Sequence, residues 1–229
     1  MFSREATPDL PAPDLPWRER ALARSLEAPR ARSVERIERL VAAARDLANE
    51  TGTATFTVHQ VIERSGLSLK SFYRCFSGKD DLLVALLEED SRLGAGILAE
   101  IVEGASDPEA RIEAYVTGVF DLLTHEGALG YAGVLVREHR RLSEAVPDEL
   151  ARALAPMVQV LIDQVRAAAE VGVIVSDDPA RDANTIFSVV LDGIHDVTLG
   201  RVDALDQADY LWRFCRAALR GDRSAPTQE

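Results

Sequence analysis

The sequence predicts an all-α fold, and three features carry that expectation. Over most of the 229 residues apolar side chains recur at intervals of three and four, which gathers them on one face of a helix. Capping residues, glycines and prolines separate these stretches, as they do at helix ends. No segment alternates apolar with polar as a half-buried strand does, and Val171 to Val175, next to Gly172 and Asp177-Asp178-Pro179, reads as a helix end and loop. There are no internal repeats.

Taken in order, residues 1–32 hold Pro8, Pro11, Pro13, Pro16 and Pro29 with Arg18, Arg20, Arg24, Arg30 and Arg32, and read as a flexible, partly basic arm. From Val34 a helical stripe runs through Ile37, Leu40, Val41, Ala44, Leu47 and Ala48 until Gly52 stops it. Thr57 stands ahead of Val58, Val61 and Ile62, and Gln60 lies three positions on, the spacing of a capping box. This second helix is short and ends near Ser65-Gly66. Ser68 caps a third, in which Leu69, Phe72, Tyr73 and Phe76 are apolar or aromatic and Lys70, Ser71 and Arg74 are polar. After Ser77-Gly78 a long helix begins at Lys79 and carries Leu82, Leu83, Leu86, Leu87, Leu93, Ile97, Leu98 and Ile101. Further helical patterns cover about 108–125, 128–142, 147–171, 179–200 and 205–220.

A composition 47% hydrophobic and 28% charged is that of a globular protein and excludes fibrous, collagenous and wholly disordered chains. No apolar run approaches the roughly 18 residues of a membrane helix, and the first thirty residues lack the apolar stretch of a signal peptide, so the expected location is the cytoplasm. Two cysteines, Cys75 and Cys215, are too few for a disulfide scaffold. The net charge of −12 is unevenly spread: residues 17–80 carry 12 basic and 8 acidic side chains, residues 81–229 carry 13 and 27. A basic first third ahead of an acidic remainder suits a small module that touches a polyanion.

Two short helices joined by Ser65-Gly66-Leu67-Ser68 form a helix-turn-helix pattern, whose second helix presents its early residues to a major groove. Thr55-Phe56-Thr57-Val58, Ile62 to Ser68, and Ser71-Phe72-Tyr73-Arg74-Cys75-Phe76-Ser77-Gly78-Lys79-Asp80-Asp81-Leu82 together resemble the DNA-binding domain of TetR-type transcriptional regulators, from about Arg36 to Leu87. The helical spacing makes Phe72 and Phe76 core and frees the Tyr73 hydroxyl for a phosphate. Lys70 and Ser71 fall in the first turn of the recognition helix, where base edges are reached, and Arg74 on a similar flank. Thr57, Ser68 and Lys79 mark helix starts, where free amides and a cation favour phosphate oxygens; His59 reads as exposed.

The resemblance implies an all-α chain of two parts, a three-helix helix-turn-helix domain over 33–80 and a ligand-binding and dimerisation domain over 81–222, between the arm and a disordered tail, 223–229. It implies double-stranded DNA, a small-molecule effector and a second copy of the chain as partners, and no cofactor. Candidate dimer residues are the apolar stripes of the last two helices: Ile186, Val189, Val190 and Val197, with Leu205, Leu211, Trp212, Cys215 and Leu219. Candidate effector-pocket residues are Tyr115, Val119, Phe120, Leu123, Leu135, Met157, Val158, Leu161, Ile162, Phe187, Leu191 and His195. Glu138-His139-Arg140-Arg141 and Asp192, His195 and Asp196 set polar groups on otherwise apolar helices. His139, Asp192 and His195 have the chemistry of metal ligands, but histidines held by structural hydrogen bonds are commoner. An all-α enzyme is the alternative, although the chain lacks an evident nucleophile–base pair or phosphate-gripping glycine loop. A helical protein-interaction adaptor would explain the acidic remainder but not the basic module.

Overall fold

The computed structural model describes residues 16–125 and 127–221, and among them it is entirely helical: α1 (Trp17–Thr51), α2 (Val58–Ser65), α3 (Leu69–Cys75), α4 (Lys79–Glu103), α5 (Pro108–Leu123), α6 (Ala128–Ala145), α7 (Pro147–Glu170), α8 (Pro179–Thr198) and α9 (Ala204–Arg220). No described helix is long and apolar enough to cross a membrane.

Local chemistry sets the helix ends. Gly52 ends α1 in the left-handed region, φ 63°, with its N–H donating to Ala48 O at 2.9 Å. Thr57 and Gln60 form the expected capping box at the start of α2. Gly66 closes α2 at φ 67°, a backbone that a Cβ opposes, and Ser68 Oγ accepts from Ser71 N to open α3. Asp107, Asp178 and Asp203 cap α5, α8 and α9 in the same way.

The expected arm differs from the structure. From Trp17 onward it is the first part of α1, which passes through Pro29, while residues 1–15 and the tail 222–229 lie outside the described residues. Between Pro16 and Pro29 stand Ala, Leu, Arg and Glu, the best helix formers. Pro16 itself sits just ahead of the first helical residue, where a missing N–H costs nothing.

Two cores organise the molecule. The first joins Leu40, Val41, Ala44 and Leu47 of α1 to Phe56, Val61, Phe72 and Phe76, and takes Leu82, Leu83, Leu86 and Leu87 from the first turns of α4. Val134 and Leu142 of α6 and Leu150 of α7 close it from the other side. The second core packs α5, α8 and α9 against α7 and the far half of α4, around Leu98, Ile112, Tyr115, Phe120, Leu161 and Val190. Hence α4 runs from one core into the other, and residue 80 lies inside its first turn rather than at a break.

The face of α4 is also a correction. Leu93 and Ile97, expected on its apolar stripe, are exposed, and the buried line after Leu87 is Ser91, Ala95, Leu98 and Val102. Steps of four and three from Leu87 reach Ser91 and Leu98, and residues 93 and 97 fall on the opposite side.

Candidate functional site

The helix-turn-helix module is rigid where it must be and open where it can touch. Phe72 is fully buried and Phe76 nearly so, with ring centroids 5.8 Å apart. Tyr73 packs edge-on against Phe72 at 5.3 Å while remaining 59% exposed, so its ring is fixed and its hydroxyl is free to reach outward. Thr57, Ser68, Lys70 and Arg74 are exposed on the same two short helices, as is His59, and Ser71 is half-buried beside the Ser68 hydroxyl at 3.0 Å. The turn between the helices is held from α1, where Arg39 Nη2 donates to Ser65 O at 2.5 Å.

Lys79 differs from its expected outward role. Its ammonium donates to Ala54 O and stands 4.8 Å from the centre of the Phe56 ring, partly buried, and that burial lowers its pKa while Glu138 pulls the other way. The cation therefore braces the loop that presents Thr55 and Thr57. Its stem is long enough to fold back over α2's entry, which helix spacing alone does not reveal.

Three polar ties bind α6 to this module. Arg137 Nη2 donates to Gly52 O at 2.6 Å, at the end of α1. Arg141 pairs with Asp80 at the start of α4 at 2.7 Å and with Glu138 at 2.8 Å, and the Asp80 carboxyl is held below its usual range by that guanidinium. Tyr131 donates to Asp90 Oδ2 at 2.6 Å, and Asp90 Oδ1 accepts from Arg45 of α1 at 2.9 Å. Burial works against the Arg45 charge, but Asp90 and Glu89 outweigh it and its pKa ends above the ordinary value.

The opposite face of α6 lines a half-open cavity of about 200 Å³ walled by α4, α5, α6, α7 and α8. Of the expected pocket residues, Val119, Leu123, Leu135, Met157, Phe187 and Leu191 lie on its wall. Tyr115, Phe120 and Leu161 do not: they are fully buried, and Tyr115 Oη donates to Met157 O at 3.1 Å, with burial pushing the phenol's pKa up. His195 is also absent from the wall, and Val158 and Ile162 line a neighbouring open groove of about 400 Å³ instead. Sequence reasoning missed Asp90, Ser91 and Gly94 on the α4 wall and the pocket role of His139. A serine in register with Leu87 and Leu98 was the available signal. Gly94 faces Met157, whose sulfur a Cβ there would touch at 3.4 Å, an ordinary contact distance.

The structure does not bring His139, Asp192 and His195 together as a ligand set. Among the described residues no three His, Cys, Asp or Glu side chains gather as ligands, and Asp192 pairs with Arg140 at 2.5 Å. The expected dimer stripes are corrected too: Ile186, Val190, Val197, Leu211, Trp212, Cys215 and Leu219 are all buried within the chain. They pack into the second core, and at Gly193 α8 and α9 come so close that a Cβ would lie 2.5 Å from Leu211 Cδ1. Desolvation pushes the Cys215 thiol up to about 11, as befits an inert packed thiol. The outward apolar side chains of α9 are Leu205, Tyr210 and Phe214, and Phe214 shares a shallow groove with Thr185 and Val189 of α8.

Residues 40–86 match the family model of bacterial regulatory proteins of the tetR family. No curated protein matches the chain in sequence. Among solved structures, the transcriptional regulator FadR from Bacillus subtilis in complex with stearoyl-CoA superposes with a TM-score of 0.66 at 16% identity, over 79% of this chain and 97% of that one. A TetR transcriptional regulator from Rhodococcus sp. gives 0.64 at 20% identity, over 83% and 98%. RolR in complex with resorcinol gives 0.62 at 20% identity, over 87% and 98%. At these identities the superpositions speak for the fold, and the matched segment coincides with the module built from Leu40 to Leu86. Residues 40–86 are thus similar in sequence to the DNA-binding domain of tetR-family regulators, and the chain as a whole shares the fold of the structures it superposes on.

Proposed function

We propose that the chain is a cytoplasmic, homodimeric repressor that α3 seats in operator DNA and that a small molecule in the α4–α8 cavity releases. The observation that carries this reading is the continuity between the two sites. Asp90 is part of the cavity wall and, through Arg45 and Tyr131, ties α4 to α1 and α6. A ligand that repacks this wall shifts α4, and with it a module whose core α4 helps to build. In a dimer the two recognition helices must enter half-sites about 34–36 Å apart, so a displacement of a few ångströms spoils simultaneous insertion.

In this reading residues 33–80 read DNA and residues 81–222 sense and pair. Lys70 and Ser71 read base edges; Thr57, Ser68, Tyr73 and Arg74 set the module on the phosphates, and Lys79 acts through the loop it braces. The pairing surface uses the outward faces of α8 and α9, with Tyr210 and Phe214 as its anchors and Thr185 and Val189 around them. Twofold symmetry suits this, since each copy offers the same face.

The test is a mobility-shift titration with the duplex upstream of the chain's own gene. Tyr73→Phe is expected to weaken specific and non-specific complexes alike, whereas Lys70→Ala is expected to change the rank order of operator variants. An unchanged rank order for Lys70→Ala refutes its base-reading role. Absence of any sequence-specific complex with wild-type protein refutes the whole reading. Because linkage is reciprocal, an effector that weakens operator binding by some factor is itself bound more weakly by that factor on operator DNA.

A further inference from the structure

The polar groups facing the cavity are few. Asp90, Ser91 and His139 are the ones on a wall that is otherwise aliphatic, aromatic or thioether in character. The Asp90 carboxylate is already engaged by Arg45 and Tyr131, so its charge is matched inside the protein. Ser91 is different. The residue is 2% exposed, and its Oγ is one of two buried side-chain atoms among the described residues with no hydrogen-bond partner. A buried hydroxyl in that state favours whatever brings it a partner.

Resting on the reading of this cavity as the effector site, we propose that it takes a small, uncharged, ring-sized molecule whose hydroxyl or carbonyl group bonds to Ser91.

Charge excludes the alternatives. No Lys or Arg lines the cavity or the adjoining groove, and the Arg45 guanidinium is already paired with Asp90, so a carboxylate or phosphate brought in would be buried without a cation of its own. A ligand cation would compete with Arg45 for Asp90 Oδ1 and with the Tyr131 hydroxyl for Asp90 Oδ2. His139 does not supply the missing positive charge: burial, then Arg140, lower its pKa, with Asp192 opposing. A neutral imidazole instead offers one donor and one acceptor to a neutral ligand.

Size and access agree. Apolar cavities of about 150 Å³ hold a benzene ring, so about 200 Å³ accommodates one ring with a short substituent. The adjoining groove shares His139, Leu154, Phe187 and Leu191 with the cavity. These four side chains stand between the two spaces, and none of them carries a fixed charge that would hold an ionised group there.

The experiment uses the full-length protein and four probes: 4-ethylphenol, ethylbenzene, 4-ethylbenzoate and octanoyl-CoA, followed by calorimetry or competition in the wild type, Ser91→Ala and a cavity-filling variant, Ala132→Phe. The expected result is that 4-ethylphenol binds about tenfold more tightly than ethylbenzene, and that this preference collapses in Ser91→Ala while ethylbenzene is held as well as before. Ala132→Phe is expected to abolish both. Ser91→Ala removes an unpaired hydroxyl without adding volume, so circular dichroism is expected to show it folded. A preference that survives Ser91→Ala overturns the assignment. Binding of 4-ethylbenzoate or octanoyl-CoA that Ala132→Phe abolishes overturns the ligand class and leaves the cavity as the effector site. Binding of no probe, or binding indifferent to Ala132→Phe, overturns both.

Discussion

The helix-turn-helix module and the domain behind it use the same helical grammar on different terms. In the module, helices of eight and seven residues are held by a capping box, a left-handed glycine and a serine cap, and the aromatic pair Phe72 and Phe76 fills the interior. In the second region helices of 16 to 25 residues enclose a cavity and leave a serine hydroxyl unpartnered inside it. On the proposed reading, a surface that is to meet the invariant shape of a duplex is built by closing its interior. On the same reading, a region that is to admit a removable guest keeps part of its interior unfilled, and sacrifices some dispersion contact to do so.

Truncation at the two interiors tests that contrast most severely. Phe72→Ala is expected to cost about 3–5 kcal/mol, since the ring is fully enclosed, whereas Leu123→Ala on the cavity wall is expected to cost well under about 2 kcal/mol. Chemical denaturation measures both, and equal losses would break the comparison. Next in size, Gly193→Ala probes the packed side of the second region. Its Cβ would lie 2.5 Å from Leu211 Cδ1 and 3.0 Å from Phe120 Cζ, so a loss of about 1–3 kcal/mol is expected, seen as a lowered denaturation midpoint. Gly66→Ala forces a side chain into the left-handed turn of the module and toward Arg39, with an expected loss of about 1 kcal/mol and weakened operator binding.

The smallest effect is a pH dependence placed by His139. The fold holds this imidazole below its ordinary value of 6.5, so on acidification the unfolded chain takes up the proton first. Its contribution is complete above that value and is lost as pH falls through about 6.5 toward the folded pKa. The depressed carboxyls, Asp80 beside Arg141 and Asp107 at its helix cap, contribute stability above the usual carboxylate range and lose it only at lower pH. His139→Gln is therefore expected to flatten the melting temperature between pH 7 and 5.5 and to leave the acid limb in place. An unchanged slope in that upper window would remove His139 from the account.

Legibility followed the range of the interactions. Thr57 with Gln60, Ser68 with Ser71, and Gly52 and Gly66 all act within four residues, so these helix ends could be read directly. The start of α1 is less legible, because its prolines signal a break while the strong helix formers between them signal a helix. On α4, hydrophobicity points to Leu93 and Ile97, whereas register carries the buried stripe through Ser91. Helix position makes Lys79 a surface cation, and only the fold turns its ammonium back to Ala54.

By itself the sequence determined that the chain is helical, where most of its helices begin and end, and that a basic helix-turn-helix module of TetR type precedes an acidic remainder. These rest on periodicity, capping and charge, which neighbours along the chain express without reference to the rest of the molecule. Only the tertiary structure decided that Ile186, Val190, Leu211 and Trp212 face inward, that Asp90 links Arg45 to Tyr131, and that Ser91 and His139 stand on the wall of a cavity. An apolar stripe says that something must cover it, but what covers it depends on residues far along the chain, which no local pattern encodes.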